Sequence, residues 1–248
     1  MRIATAMIVL MALLAGCGGI GEILQRFDRK SSTTAEVPDP AISTDEVVAK
    51  AQPSVAKVRG EADSCYKVLE GSGFVVAPNK VMTNAHVIAG ADSFSVEVDG
   101  KTYDAQVVSY DSNMDISILD VPNLPAQPLT FAGYTAHSGT DALVLGYPGA
   151  RSFAANAVQI REVTELNGPN IYHVGSVTRE VYILTGSFPQ AGISGSPVVD
   201  LNGRVLGVYF GAEANDSTTG FALTAAQVAP QMSRVADTQT VGTGACIS

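Results

Sequence analysis

Charge is scarce in this chain: Asp, Glu, Lys and Arg make up 16% of its 248 residues, against 46% hydrophobic residues. So thin a supply of charge excludes an architecture of long solvated helices, and the 24 glycines point to many short strands joined by tight turns. Basic residues are scarcer than acidic ones, 15 against 24, giving a net charge of −9. They form no cluster, so neither nucleic acid nor an anionic lipid surface is expected as an electrostatic partner. Histidine and cysteine are rarer still, with three of each. No repeat of solenoid type is visible. What remains is a chain long enough for one large all-β domain or two small ones, able to bury a sizeable core without a metal.

The only long apolar run is at the start, Ile3 to Leu14 after Arg2, followed by small residues up to Cys17. This is an export segment. It falls short of the roughly 20 apolar residues that span a bilayer comfortably. Leu14-Ala15-Gly16-Cys17 resembles the bacterial lipobox, in which cleavage before the cysteine leaves its thiol to carry lipid. Gly18, Gly19 and Ile20 prolong the run, and the alternative is an uncleaved anchor that contains a cysteine. Both readings place the remainder outside the cytoplasm. Cys65 and Cys246 can then form a disulfide, with lipidation of Cys17 accounting for the odd thiol; two free thiols are the other possibility.

Residues 1–21 are thus a signal or anchor and residues 22–42 a polar linker carrying Pro38 and Pro40. A domain from 43 to 248 follows. Ser43 and Glu46 suggest a capping box for a short helix, which Gln52-Pro53-Ser54 stops. Strand signals come at 55–58, 73–77, 80–83, 93–98, 103–110 and 116–121, separated by turn residues at Pro78-Asn79 and Asp99-Gly100. They make a first barrel over about 53–121. Three prolines between Pro122 and Pro128 cannot continue a sheet interior and connect to a second unit over about 129–223. Its best strands are 141–145, 158–163, 181–184, 196–199 and 205–209, the last two joined by Asn202-Gly203. Thr224 caps a helix expected over Ala225–Ala236, with Val228, Met232 and Val235 on one face.

Three short stretches carry chemistry. Gly192-Ile193-Ser194-Gly195-Ser196-Pro197 suits a nucleophilic serine, which needs a tight exposed turn with backbone N–H groups converging on a developing oxyanion. Val81 to His86 is a strand running into a histidine, placed on a barrel rim where it can accept the serine's proton. His137 and His173 sit in loop-like surroundings and read as surface residues. Asp115 leads the apolar strand Asp115-Ile116-Ser117-Ile118-Leu119, where a partly buried carboxylate could orient an imidazole. Asp111 and Asp120 are rivals, Asp111 in a turn where capping is the ordinary role and Asp120 closing the strand.

Thr-Asn-Ala-His, Asp-Ile-Ser-Ile-Leu and Gly-x-Ser-Gly-Ser-Pro, in that order, resemble the trypsin-like serine proteases. The resemblance implies an all-β fold of two six-stranded antiparallel barrels, with a short N-terminal and a C-terminal helix. It implies His86, Asp115 and Ser194 as the triad and the N–H groups of Gly192 and Ser194 as the oxyanion hole, with no metal or organic cofactor. From about Ile42 to Ser248 the chain is similar to the periplasmic protease domain of the mycobacterial acid-resistance protease family. That likeness includes Thr219 to Thr224 and Val241 to Cys246, and supports pairing Cys65 with Cys246. Here one short apolar segment stands where that family has several membrane helices.

Ile193 replaces the Asp or Asn that many relatives carry before the serine, so the activation salt bridge of digestive zymogens is unavailable. Ser196 replaces the commoner second glycine. No room is expected for a PDZ module after the last helix. The resemblance places the substrate pocket at Phe188, Pro189, Gln190, Ala191, Tyr209, Phe210, Gly211, Gly220, Phe221 and Ala222. With Phe188 at its base, a demand for Lys or Arg is disfavoured, although Glu213 and Asp216 lie on a nearby loop. The expectation is a membrane-anchored, monomeric peptidase domain acting on envelope polypeptides, in acid or oxidative stress resistance. An inactive binding protein on the same fold and an esterase are the alternatives.

Overall fold

The computed structural model describes residues 45–188 and 191–247; the lipobox, the linker, Ser43, Pro189 and Gln190 lie outside them. A helix α1 (Asp45–Ala51) and one turn of 3₁₀ helix through Pro53 lead into β1 (Val55–Ala62). Next come β2 (Lys67–Ala77), β3 (Lys80–Thr83), β4 (Ser93–Val98), β5 (Lys101–Asp111) and β6 (Ile116–Asp120). They close a barrel in the order β1-β2-β3-β6-β5-β4. A second closed barrel consists of β7 (Asp141–Gly146), β8 (Ala154–Gly168), β9 (Val177–Gly186), β10 (Pro197–Asp200), β11 (Val205–Glu213) and β12 (Asp216–Thr224). Its order is β10-β11-β12-β9-β8-β7, and every strand pairing in both barrels is antiparallel.

The alternation of strand side chains explains why the apolar stretches are nearly continuous. Side chains on one face fill their own barrel, and those on the other face pack against the neighbouring barrel. In the first barrel Ala56, Val75, Val81 and Leu119 point inward, while their neighbours Val55, Phe74, Met82 and Ile118 join a core shared with the second barrel. The second barrel answers with Leu143, Leu145, Val199, Val205 and Val208 in the shared core and Ala142, Val144, Val198 and Leu206 inside. Each fully buried aliphatic side chain contributes about 1.5–3 kcal/mol. Because the shared core draws on both barrels, it fixes the cleft between them.

Three expectations need correcting. The last helix, α2, covers Ala225–Met232 rather than reaching Ala236. Beyond Pro230 the chain tightens into i→i−3 bonds, Ser233 N–H to Pro230 O and Arg234 N–H to Gln231 O among them. Thr224 does cap it, accepting from Gln227 N–H at 3.1 Å, and Val228 is buried. β8 is far longer than 158–163, because the Arg161–Gly168 half pairs with β9 as a hairpin whose faces are largely solvated. β12, with its polar start Asp216-Ser217-Thr218-Thr219, completes the second barrel without matching a strand signal. The disulfide is the expected one: it joins Cys65, in the turn between β1 and β2, to Cys246 in the tail.

Candidate active site

His86 follows the C-terminal end of β3 and Asp115 precedes the N-terminal end of β6, and the antiparallel register that sets Thr83 beside Ser117 brings these two ends together. After Thr83 the chain runs extended through Asn84 into one 3₁₀ turn, Ala85–Val87, which carries His86. Asp115 is the last residue of a turn rather than the first of the strand, with left-handed φ of 57°. Asp tolerates that region better than most residues. Asn84 Nδ2 holds the conformation by donating to the Asp115 carbonyl at 2.8 Å. The Asp115 carboxylate, in a residue only 7% exposed, faces His86 twice: Oδ1 accepts the backbone N–H at 2.9 Å and Oδ2 lies 2.8 Å from Nδ1.

Burial disfavours the imidazolium, but the charge and hydrogen bond of Asp115 outweigh it and hold His86 above its ordinary pKa. The rival carboxylates have other work. Asp111 Oδ1 accepts from Asn113 and Met114 N–H, both at 2.9 Å, capping the turn that leads to Asp115. Asp120 pairs with Lys80 at 2.7 Å.

Ser194 sits in the turn before β10, between Gly192 at φ +88° and Gly195 at φ +85°. A Cβ at Gly195 would strike the Ser72 carbonyl, and one at Gly192 would lie 2.6 Å from the Tyr147 carbonyl. Both conformation and space therefore require glycine. The carbonyls of Ala191 and Ile193 are both engaged. Gly149 N–H donates to Ala191 O at 3.0 Å, and Ser196 N–H to Ile193 O at 3.0 Å. In a trans peptide the N–H points opposite to its carbonyl, so these two bonds aim the N–H groups of Gly192 and Ser194 away from those partners. Ile193, 2% exposed, packs into the second barrel's interior.

His86, Asp115 and Ser194 line one cavity of about 870 Å³ between the barrels. Of the residues expected in a substrate pocket, Phe188, Ala191, Tyr209, Phe210, Gly211 and Phe221 line it too. Gly220 and Ala222 do not. Ala222 is fully buried, and the Phe188 ring covers Gly220 so closely that a Cβ there would meet it at 2.6 Å. Phe188 stacks on Tyr209, with ring centroids 5.4 Å apart, and both are buried.

His173 is exposed as expected but stands at the cavity edge, on the β8–β9 hairpin. Arg179, not foreseen, lines the cavity and ties that hairpin to the first barrel, donating through Nε to Asn113 O at 2.8 Å and through Nη2 to Pro169 O at 3.1 Å. Nothing local in the sequence marks it, because its partners are backbone carbonyls distant along the chain. Among the described residues no group of three or more His, Cys, Asp or Glu could hold a metal ion.

Comparison with known proteins agrees with this fold. Residues 71–208 match the trypsin-like peptidase domain family. The chain is 48% identical over 239 residues to the serine protease Rv3671c of Mycobacterium tuberculosis, covering 96% of this chain and 60% of that protein's length. A crystal structure of the active form of Rv3671c protease superposes with a TM-score of 0.86 at 50% identity, over 91% of this chain and all of that one. The inactive form gives 0.72 over 81% and 98%. Two closed barrels, the motifs in their order and these matches together show that the chain belongs to the trypsin-like peptidase family.

Proposed function

We propose that this chain is a serine endopeptidase acting outside the cytoplasm on polypeptides of the cell envelope. Ser194 Oγ attacks the scissile carbonyl while His86 takes its proton. Asp115 holds the imidazole in the tautomer that can do so and stabilises the cation that forms. The N–H groups of Gly192 and Ser194 receive the oxyanion. His86 then returns the proton to the leaving amine, and water releases the acyl group from Ser194 by the same sequence in reverse roles. The observation that carries this reading is the double contact of Asp115 with His86 on the wall of the cavity that Ser194 shares.

The envelope setting and a part in acid or oxidative stress resistance rest on the export segment and on the likeness to the acid-resistance proteases; membrane attachment would come through Cys17 or an uncleaved helix. A fluorophosphonate probe tests the chemistry. Covalent labelling of the wild type but not of Ser194→Ala is expected, with hydrolysis of peptide substrates. Labelling without peptide hydrolysis but with ester cleavage would make it an esterase, and no labelling a binding protein on a peptidase fold.

A further inference from the structure

We propose that Ser72 is a positioning residue for the oxyanion-binding turn, doing through hydrogen bonds from the first barrel what a buried charge before the nucleophile would otherwise do. The inference rests on the serine-protease reading of the site. Ser72 lies on β2, between Gly71 and Gly73, and is completely buried, so it touches no substrate. Its backbone N–H donates to Ser194 O at 2.8 Å. Its hydroxyl accepts from Tyr147 N–H at 2.9 Å and stands 2.8 Å from Gly192 O. Tyr147 N–H can only donate, so the hydroxyl's own single proton is left for Gly192 O. The Ser72 carbonyl is fixed in turn by Thr83 Oγ1 at 2.7 Å.

Glycine at φ +88° is the residue least able to hold its own orientation, because rotation about its backbone costs so little. In this turn both peptide planes flanking Gly192 are held by their carbonyls. Gly149 N–H holds Ala191 O, and Ser72 Oγ holds Gly192 O. The two anchors are connected, since the Tyr147 whose N–H meets Ser72 is the first residue of the turn that contains Gly149, closed by Ala150 N–H on Tyr147 O at 3.0 Å. One hydroxyl therefore joins β2, the 147–150 turn and the nucleophile turn. Ile193 supplies packing at the same place but no polar anchor, which leaves the orientation of the Gly192 peptides to this network. Space is set for it as well: a Cβ at Gly146 would come 2.8 Å from Ser72 Oγ.

The test is Ser72→Ala, which removes both hydroxyl bonds and keeps the backbone bond to Ser194. The expected result is a kcat lower by about tenfold to a hundredfold, short of the roughly 10²–10³ lost when an oxyanion donor itself is removed, with KM nearly unchanged. Affinity for a peptidyl boronic acid, which mimics the tetrahedral anion, should fall by the same factor, while binding of the cleaved product peptide stays constant. Thr83→Val is the comparison, because it removes a bond to the same Ser72 peptide without touching Gly192 and should lower Tm with little loss of kcat.

A crystal structure of Ser72→Ala should show the Gly192 carbonyl turned from its present direction. Ser72→Cys, which keeps a weak donor, should recover part of the rate and serves if the alanine variant fails to fold. Equal loss of kcat in Ser72→Ala and Thr83→Val at equal loss of Tm, or an unmoved Gly192 carbonyl, overturns the proposal. A wild type that neither labels nor hydrolyses peptides overturns the serine-protease reading instead, and the crystal structure then decides the positioning role by itself.

Discussion

The carboxylate of Asp115 grips His86 at two points, its ring through Oδ2 and its backbone N–H through Oδ1. The second contact fixes where the residue sits and the first fixes which ring nitrogen carries the proton. Asp115→Asn keeps the shape but presents an amide that stabilises the wrong tautomer. It should lower kcat by about 10⁴ with little change in KM. Asp111→Asn should change kcat little, because an asparagine oxygen can still accept from Asn113 and Met114 N–H. Steady-state kinetics of the two variants checks the ranking, and the reverse order would move the orienting role to Asp111.

The same pair sets the pH response. In the proposed mechanism His86 must be neutral to act as a base, and its pKa is raised above the usual imidazole value of about 6.5 because Asp115 outweighs the opposing effect of burial. Activity should therefore rise with pH through that elevated value. Stability runs the other way: the contribution of the charged pair is fully present below the unfolded-state pKa and is lost as pH rises through the folded one. In Asp115→Asn the burial effect remains and the raising effects go, so the acid limb of kcat/KM should shift to lower pH. A limb that stays in place would show that another group controls it.

Much of this was legible in the chain because it is local. The strand into His86, the turn around Ser194 and the apolar strand after Asp115 each declare themselves within a few residues. The barrels were legible from apolar runs broken by turns, though the runs do not say that one face serves the neighbouring barrel. What stayed hidden depends on contacts between distant segments. Ser72 reads as an ordinary strand residue until Gly192 and Tyr147 arrive beside it, 120 and 75 residues along the chain. The solvated half of β8 escaped because its hydrogen-bonded pairing with β9, not burial, holds it extended, and the start of β12 escaped because its residues are polar although Thr219 is buried.

Phe188 lines the cavity, and the absence of a side chain at Gly220 behind it is what lets the end of the ring come so close there. Gly220→Ala places a Cβ 2.6–2.9 Å from three Phe188 ring atoms, so the ring must move. Displacement is opposed on its other side by the stack on Tyr209, which leaves the cavity as the open direction. The variant should discriminate more strongly against large side chains at the residue preceding the cleaved bond, by about 10-fold or more, as pocket volume changes usually do. Profiling on a peptide library checks this; an unchanged profile would mean that Phe188 is not part of the specificity surface.

The Cys65–Cys246 bridge closes a loop across 181 residues, from the β1–β2 turn of the first barrel to the tail beyond the second barrel's helix. In the chain-entropy account such a closure destabilises the unfolded chain by about 5 kcal/mol, an upper value because residual structure in the reduced chain lessens it. Even half of that is a large share of the roughly 5–15 kcal/mol of a typical domain. The tail is not held by sulfur alone. Val241 N–H donates to Val107 O and Gly90 N–H to Thr243 O, while Thr243 Oγ1 meets Ala91 O and Lys67 Nζ meets Ile247 O. Reduction should accordingly lower Tm without unfolding the barrels, since none of these bonds needs the bridge to form. Oxidised protein should outlast reduced protein in heat and in acid. Cys65→Ser and Cys246→Ser should each cost about the same and the double variant no more than either, because both remove one cross-link. Thermal unfolding of the four proteins, with thiol counting on the non-reduced folded domain, is the measurement. Costs that add, or two free thiols in the folded oxidised protein, would show that the tail is held by its hydrogen bonds and packing instead.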